Sequence, residues 1–159
     1  TASRLLAECI TPPQGDSVQG AVRELYEKGA LEDNDETSAV TELGQLAVSL
    51  PVDLKLVKLI VYARAFGVLN AAVVMSAALT LGDVFSMPTQ LFMRDPIAFA
   101  AAMNTSMSGR VRLDGGRYSE PLAYLAAFKA WVSSRRSFQS AHQLGLSHSR
   151  SGALCTNVR

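Results

Sequence analysis

Apolar positions along this chain recur mostly at spacings of three and four residues, the period of one face of an α-helix. Val18, Ala21, Val22, Leu25 and Tyr26 form the first clear stripe. Asp16 or Ser17 stands where a helix cap is expected, and Lys28-Gly29 where the helix should stop, since glycine accepts the left-handed conformation that closes many helices. Ahead of it, Leu5, Leu6 and Ile10 suggest a short helix or turn, closed by Pro12-Pro13. Ala30-Leu31 and Ala39-Val40 flank the polar run Glu32-Asp33-Asn34-Asp35-Glu36. That pattern predicts strand, tight turn and strand, a small β-wing. Thr41 then caps a helix with Leu43, Leu46, Ala47 and Leu50 on one face, and Pro51 ends it.

From Leu54 onward the pattern is helical only. Leu56, Leu59, Ile60 and Ala63 make a stripe that breaks at Phe66-Gly67. Residues 70–81 are apolar nearly all round, which predicts a helix at the centre of a bundle. Gly82-Asp83 ends it, and Asp95-Pro96 is placed to start another helix through residues 98–103. Residues 104–118 are rich in Gly, Ser and Arg and predict a mobile surface loop. Ser119 caps the next helix, with Leu122, Leu125, Phe128 and Trp131 at regular spacing. That spacing puts Trp131 in the core, against Leu125, Phe128 and residues 68–81. Past Ser133-Ser134 the pattern weakens, and one more helix is expected over residues 138–144. The fold class is therefore mainly α. A helix–helix–wing group covers residues 1–52, and a helical-bundle group covers 53–159.

Composition and charge sharpen this picture. The chain has 159 residues, 48% of them hydrophobic and 18% charged, enough for one packed domain or two small ones. The net charge of +1 conceals a strong asymmetry. Residues 1–53 carry three basic and ten acidic groups, a net −7, whereas residues 121–159 carry five basic groups and no acid. Only the back of the chain is suited to a polyanion. Cys9 and Cys155 match no metal-ligand spacing. The apolar stretch at residues 68–81 is interrupted by Asn70 and Ser76 and too short to span a bilayer. The absence of a secretory pattern suggests an intracellular setting, nucleus or cytoplasm. No methionine opens the chain, and a fragment of a longer protein is expected.

The order of short motifs resembles the helicase-associated region of DEAH-box ATP-dependent RNA helicases. The positions that carry the resemblance are Pro12-Pro13, Ala21, Leu25, Gly29-Ala30-Leu31, Thr41, Leu43-Gly44, Ala47, Leu50-Pro51 and Lys58. Phe66-Gly67, Ala77-Ala78-Leu79, Phe85 and Pro88 match the next block, and Ser119, Leu122, Leu125 and Trp131 a later helix. Glu120-Pro121 stand where that family has Asp-His. Phe138, His142 and Leu146-Ser147 echo its following block at altered spacing. The resemblance implies a winged-helix segment over residues 1–52 and a ratchet-like helical domain over 53–159. It further implies a non-catalytic accessory segment that packs on the RecA-like motor domains of the same protein and lines a channel for single-stranded RNA. An activator protein would dock on it, and ATP and Mg would bind elsewhere in the parent protein.

The residues themselves are consistent with a non-catalytic role. No Gly-x-x-x-x-Gly-Lys-Ser/Thr loop is present to cradle a phosphate. His142 and His148 are the only histidines, with no further metal ligands or nucleophile at suitable spacing. The candidate RNA-binding residues are Arg135, Arg136, Ser147, His148 and Arg150, because guanidinium and hydroxyl groups suit phosphate oxygens. Arg110, Arg112 and Arg117 could reach RNA from the expected loop. Two other function classes fit the pattern: a winged-helix DNA-binding regulator and a purely protein-interaction module. The first meets an obstacle in Glu24, Glu27, Glu32, Asp33, Asp35 and Glu36, which would repel phosphates.

Overall fold

The structure is a computed structural model that describes residues 1–157. The chain divides into two compact units, Thr1–Ala65 and the residues from Phe66 onward.

The first unit holds α1 (Ala2–Leu6), α2 (Gly15–Glu27), α3 (Glu42–Ser49) and α4 (Leu54–Ala65). Helix α2 begins just after Gln14, ahead of the expected cap at Asp16 or Ser17. It closes as its sequence predicts: Gly29 takes φ +82°, and the amides of Gly29 and Ala30 donate to the carbonyls of Tyr26 and Leu25. Thr41 caps α3, accepting from the Gly44 amide at 3.1 Å while its hydroxyl donates to the Gly29 carbonyl at 2.7 Å. Gly44 lets these segments meet, since a Cβ there would lie 2.4 Å from the Ala30 carbonyl oxygen.

The β-wing expected between them does not form. Leu31 and Val40 make one isolated antiparallel bridge, and no strand occurs among the described residues. Side chains of the polar run take up amides locally, and one of them, that of Thr37, is an amide that a longer ladder would need. Ser38 Oγ accepts from the Asp33 amide at 2.8 Å, and Asp35 Oδ1 from the Thr37 amide at 2.6 Å. Local side-chain bonds of this kind compete directly with strand pairing.

The second unit is built from α5 (Leu69–Leu81), a short 3-10 turn (Thr89–Leu91), α6 (Pro96–Asp114), α7 (Glu120–Ser133), α8 (Phe138–Gln143) and α9 (His148–Asn157). Helix α7 packs against α5 and α6, and α9 against α5. The core joins Ala77, Ala78, Val84, Phe85, Tyr124, Ala127, Trp131, Ala141, Leu146 and Leu154. The many alanines on α5 and α7 allow these helices to approach closely around Phe85 and Trp131. Among the described residues no helix is long and apolar enough to cross a membrane.

Residues 104–114, expected in a loop, are helical, and they complete the longest element of the chain. Asp95 caps α6 through the Ala98 amide at 2.9 Å, and Pro96 occupies the first turn. Ala98, Ala101, Ala102, Thr105, Ser106 and Gly109 recur at helical spacing and form a face of small side chains. Gly109 is buried because the Leu144 carbonyl lies against it: a Cβ there would sit 2.0 Å from that oxygen. The glycines and serines that suggested a loop are the residues that let α6 pack tightly. The turn that follows is pinned by the Asp114 carboxylate, which accepts from the amides of Tyr118 and Ser119 at 2.9 Å each.

Candidate nucleic-acid interface

Helix α7 ends in a turn made of arginines. The amides of Arg135 and Arg136 donate to the carbonyls of Val132 and Trp131, the paired bonds of a Schellman closure. Both arginines adopt positive φ, +55° and +59°. That conformation costs an L residue roughly 1–2 kcal/mol and is usually left to glycine. After α8, Gly145 (φ +70°) turns the chain into an antiparallel bridge between Leu146 and Phe85. The Ser86 amide donates to the Gly145 carbonyl at 2.7 Å, and the Ser147 amide to the Val84 carbonyl at 2.9 Å. These bonds fix Ser147 at the start of α9.

Two cavities meet at this point. The larger, about 680 Å³, is lined by the small face of α6 and by Ser86, Thr105, Phe138, His142, Ser147, His148 and Ser149. The second, about 390 Å³, is lined by Trp131, Arg136, His148, Gly152, Cys155 and Thr156. His148 borders both. Its ring lies 6.1 Å from that of Trp131, edge to face, and 5.4 Å from that of Phe138 at 56°. The Ser147 and Ser149 hydroxyls are 3.2 Å apart. The lining thus sets hydroxyl, imidazole and guanidinium groups among apolar ones and contains no carboxylate, which suits a phosphate-bearing strand.

The five residues singled out from the sequence are not equivalent here. Arg136, Ser147 and His148 converge on the adjoining cavities. Arg135 is exposed on the left-handed turn and lines neither cavity. Arg150 donates to the Asp83 carbonyl and so ties α9 to the exit of α5. Sequence reasoning did not single out Phe138 or Thr105 as site residues, whereas Ser149 lies within the run from Ser147 to Arg150 that it did mark. Phe138 stands 69% exposed directly after Arg135-Arg136-Ser137, and a lone large ring beside basic residues was the available signal.

Arg110, Arg112 and Arg117 are held by the protein. Arg110 forms ion pairs with Asp83 and Glu120 and lies 4.7 Å over the Phe85 ring. Glu120 also accepts from the Tyr124 hydroxyl at 2.7 Å, and burial, with this bond, raises the Tyr124 phenol. Arg117 donates to the carbonyls of Asp114 and Leu113. Arg112 reaches the Gln143 carbonyl at 3.4 Å. Trp131 is 2% exposed, and its indole nitrogen has no hydrogen-bond partner among the described residues. In the first unit, hydrogen bonds hold two acids in their charged form. Donation from Thr37 lowers the Asp35 carboxyl, and donation from Ser3 lowers Glu36.

No protein-family model matches the chain. Individual relatives do. The chain is 30% identical over 145 residues to the ATP-dependent RNA helicase TDRD9 of Rattus norvegicus, which covers 87% of this chain and 10% of that protein. The Danio rerio protein of the same name is 31% identical over 143 residues, with the same coverage. The DExH-box ATP-dependent RNA helicase DExH3 of Arabidopsis thaliana is 31% identical over 134 residues, 84% of this chain and 10% of that protein. The chain spans about a tenth of the length of these curated relatives. Over most of its length, this chain is homologous to a segment of ATP-dependent RNA helicases.

Proposed function

We propose that the chain is a non-catalytic accessory segment of a DEAH-box ATP-dependent RNA helicase and that it forms one wall of a single-stranded RNA channel. The observation that carries this reading is the convergence of Arg136, Ser147 and His148 on two adjoining cavities whose linings contain no carboxylate. Arginine and hydroxyl contacts to phosphate position a strand without reading its sequence, as a translocating motor needs. The residues from 53 onward would be the ratchet-like domain, and residues 1–52 the module that packs on the RecA-like motor domains and helps dock an activator. Leu5, Ile10 and Val48 support such packing, being 71%, 105% and 87% exposed. Hydrogen-bonded carboxylates on the first unit disfavour a DNA-binding role, because they stay charged and repel phosphate. ATP and Mg would be held by the motor domains of the parent protein.

The test uses the full-length protein with Arg135 and Arg136 changed to Ala. Each lost phosphate contact should flatten the slope of log affinity against log salt by about 0.7 for a single strand. Affinity should fall alike for unrelated sequences of equal length, while ATP binding without RNA stays normal. An unchanged slope in a folded variant overturns the reading and leaves the basic turn as a docking face for an acidic protein segment.

A further inference from the structure

We infer that Phe138, braced by His148, is a base-stacking platform that holds one unpaired nucleobase of the strand; this inference rests on the channel reading above. Phe138 opens α8 and exposes 69% of its surface at the mouth of the larger cavity. Burying a ring of that kind is worth roughly 1.5–3 kcal/mol, so its exposure leaves a favourable contact unmade. Nor is the ring loose. It contacts the His148 ring, which is set edge to face against Trp131, and Trp131 is locked in the core. The ring thus rests on a neighbour that is itself set against the core, and a platform positioned in advance lowers the entropic cost of binding.

The chemistry around the ring selects the ligand. An apolar protein side chain would cover Phe138 but leave the Ser86 hydroxyl, and the one donor that remains on the bonded Ser147–Ser149 pair, unmatched in the same cavity; the Thr105 hydroxyl already donates to the Ala101 carbonyl. A nucleotide satisfies both parts, with an apolar base face for the ring and phosphate and sugar oxygens for the hydroxyls. The two rings are tilted by 56°, so a base lies flat on Phe138 with His148 at its edge. A base inside a duplex has no free face to offer, so the platform favours single strands. Every base has a π-face, so it accepts any sequence.

The test compares two probes of equal length and charge on the full-length protein: a short oligoadenylate, and a ribose-phosphate strand with the bases removed. Phe138→Ala should weaken oligoadenylate about tenfold, within the range for loss of one base–aromatic stack, and leave the abasic strand unchanged. Phe138→Trp should restore the lost affinity, which a variant damaged in folding would not show. Equal losses on both probes, or no loss on either, overturn the platform. The Arg135 and Arg136 variants separate this from the parent reading. If they still flatten the salt slope on both probes while Phe138→Ala does nothing, the channel stands and the platform falls. If neither set has an effect, both fall.

Discussion

One methyl group added at Gly109 probes the packing that shapes the cavities. A Cβ at this position would lie 2.0 Å from the Leu144 carbonyl oxygen and 2.8 Å from its carbon. Carbon–oxygen contacts normally stay beyond about 3.3 Å. Relief requires α6 and the α8–α9 turn to part by more than an ångström. Both sides of the contact are backbone, so no side-chain rotation can absorb it. The turn is also held by the bonds from Ser86 to Gly145 and from Ser147 to Val84, which must lengthen as it moves. Inserting a methylene into a well-packed site costs about 1–3 kcal/mol, and a backbone clash lies at or above the upper end. Alanine gains back about 1 kcal/mol of helix propensity over glycine. Gly109→Ala should therefore destabilise the second unit by about 2–3 kcal/mol net. Gly152→Ala in α9 is the control, because a Cβ there meets nothing within 4 Å and should stabilise by about 0.5–1 kcal/mol. Denaturant midpoints of the two variants should move in opposite directions. If Gly109→Ala raises the midpoint as Gly152→Ala does, α6 does not press on Leu144 and the larger cavity is not the one described.

Trp131→Ala should cost about 3–5 kcal/mol, as for other large-to-small core changes, read from the shift in denaturant midpoint. Trp131→Phe should cost clearly less, because the indole nitrogen makes no hydrogen bond among the described residues. Arg135→Gly should stabilise the fold by about 1 kcal/mol by removing the left-handed strain, while weakening single-stranded RNA binding; a fall in stability would refute the turn geometry. Asp114 carries a pH dependence. Amide donation from Ser119, then Tyr118, holds its carboxyl below the usual 3.8, so its contribution to stability is complete above that value and disappears as pH falls through the lowered one. Asp114→Asn should flatten stability against pH across that acid window, as followed by thermal melting; an unchanged profile would assign the acid sensitivity to another carboxylate.

The sequence by itself determined what depends on near neighbours. Helical spacing located α4, α5 and α7 and placed Trp131 in the core. Gly29 marked the end of α2 and Thr41 the start of α3, since a cap or a left-handed stop is a property of a few consecutive residues. The charge asymmetry and the Arg135-Arg136 and Ser147-to-Arg150 runs were equally visible there. Tertiary structure decided the rest. Gly, Ser and Ala on α6 read as a loop until the Leu144 carbonyl is placed against them, because a small side chain signals flexibility or close approach according to what lies opposite. The wing stopped at one bridge because Asp35 bonded the Thr37 amide locally instead of leaving it to a ladder. Arg110 and Arg150 were indistinguishable from Arg136 by type, and only the fold gave the first two partners at Asp83 and left Arg136 beside His148. Which arginine is available to a ligand depends on long-range pairing, and the local pattern of a sequence carries no record of it.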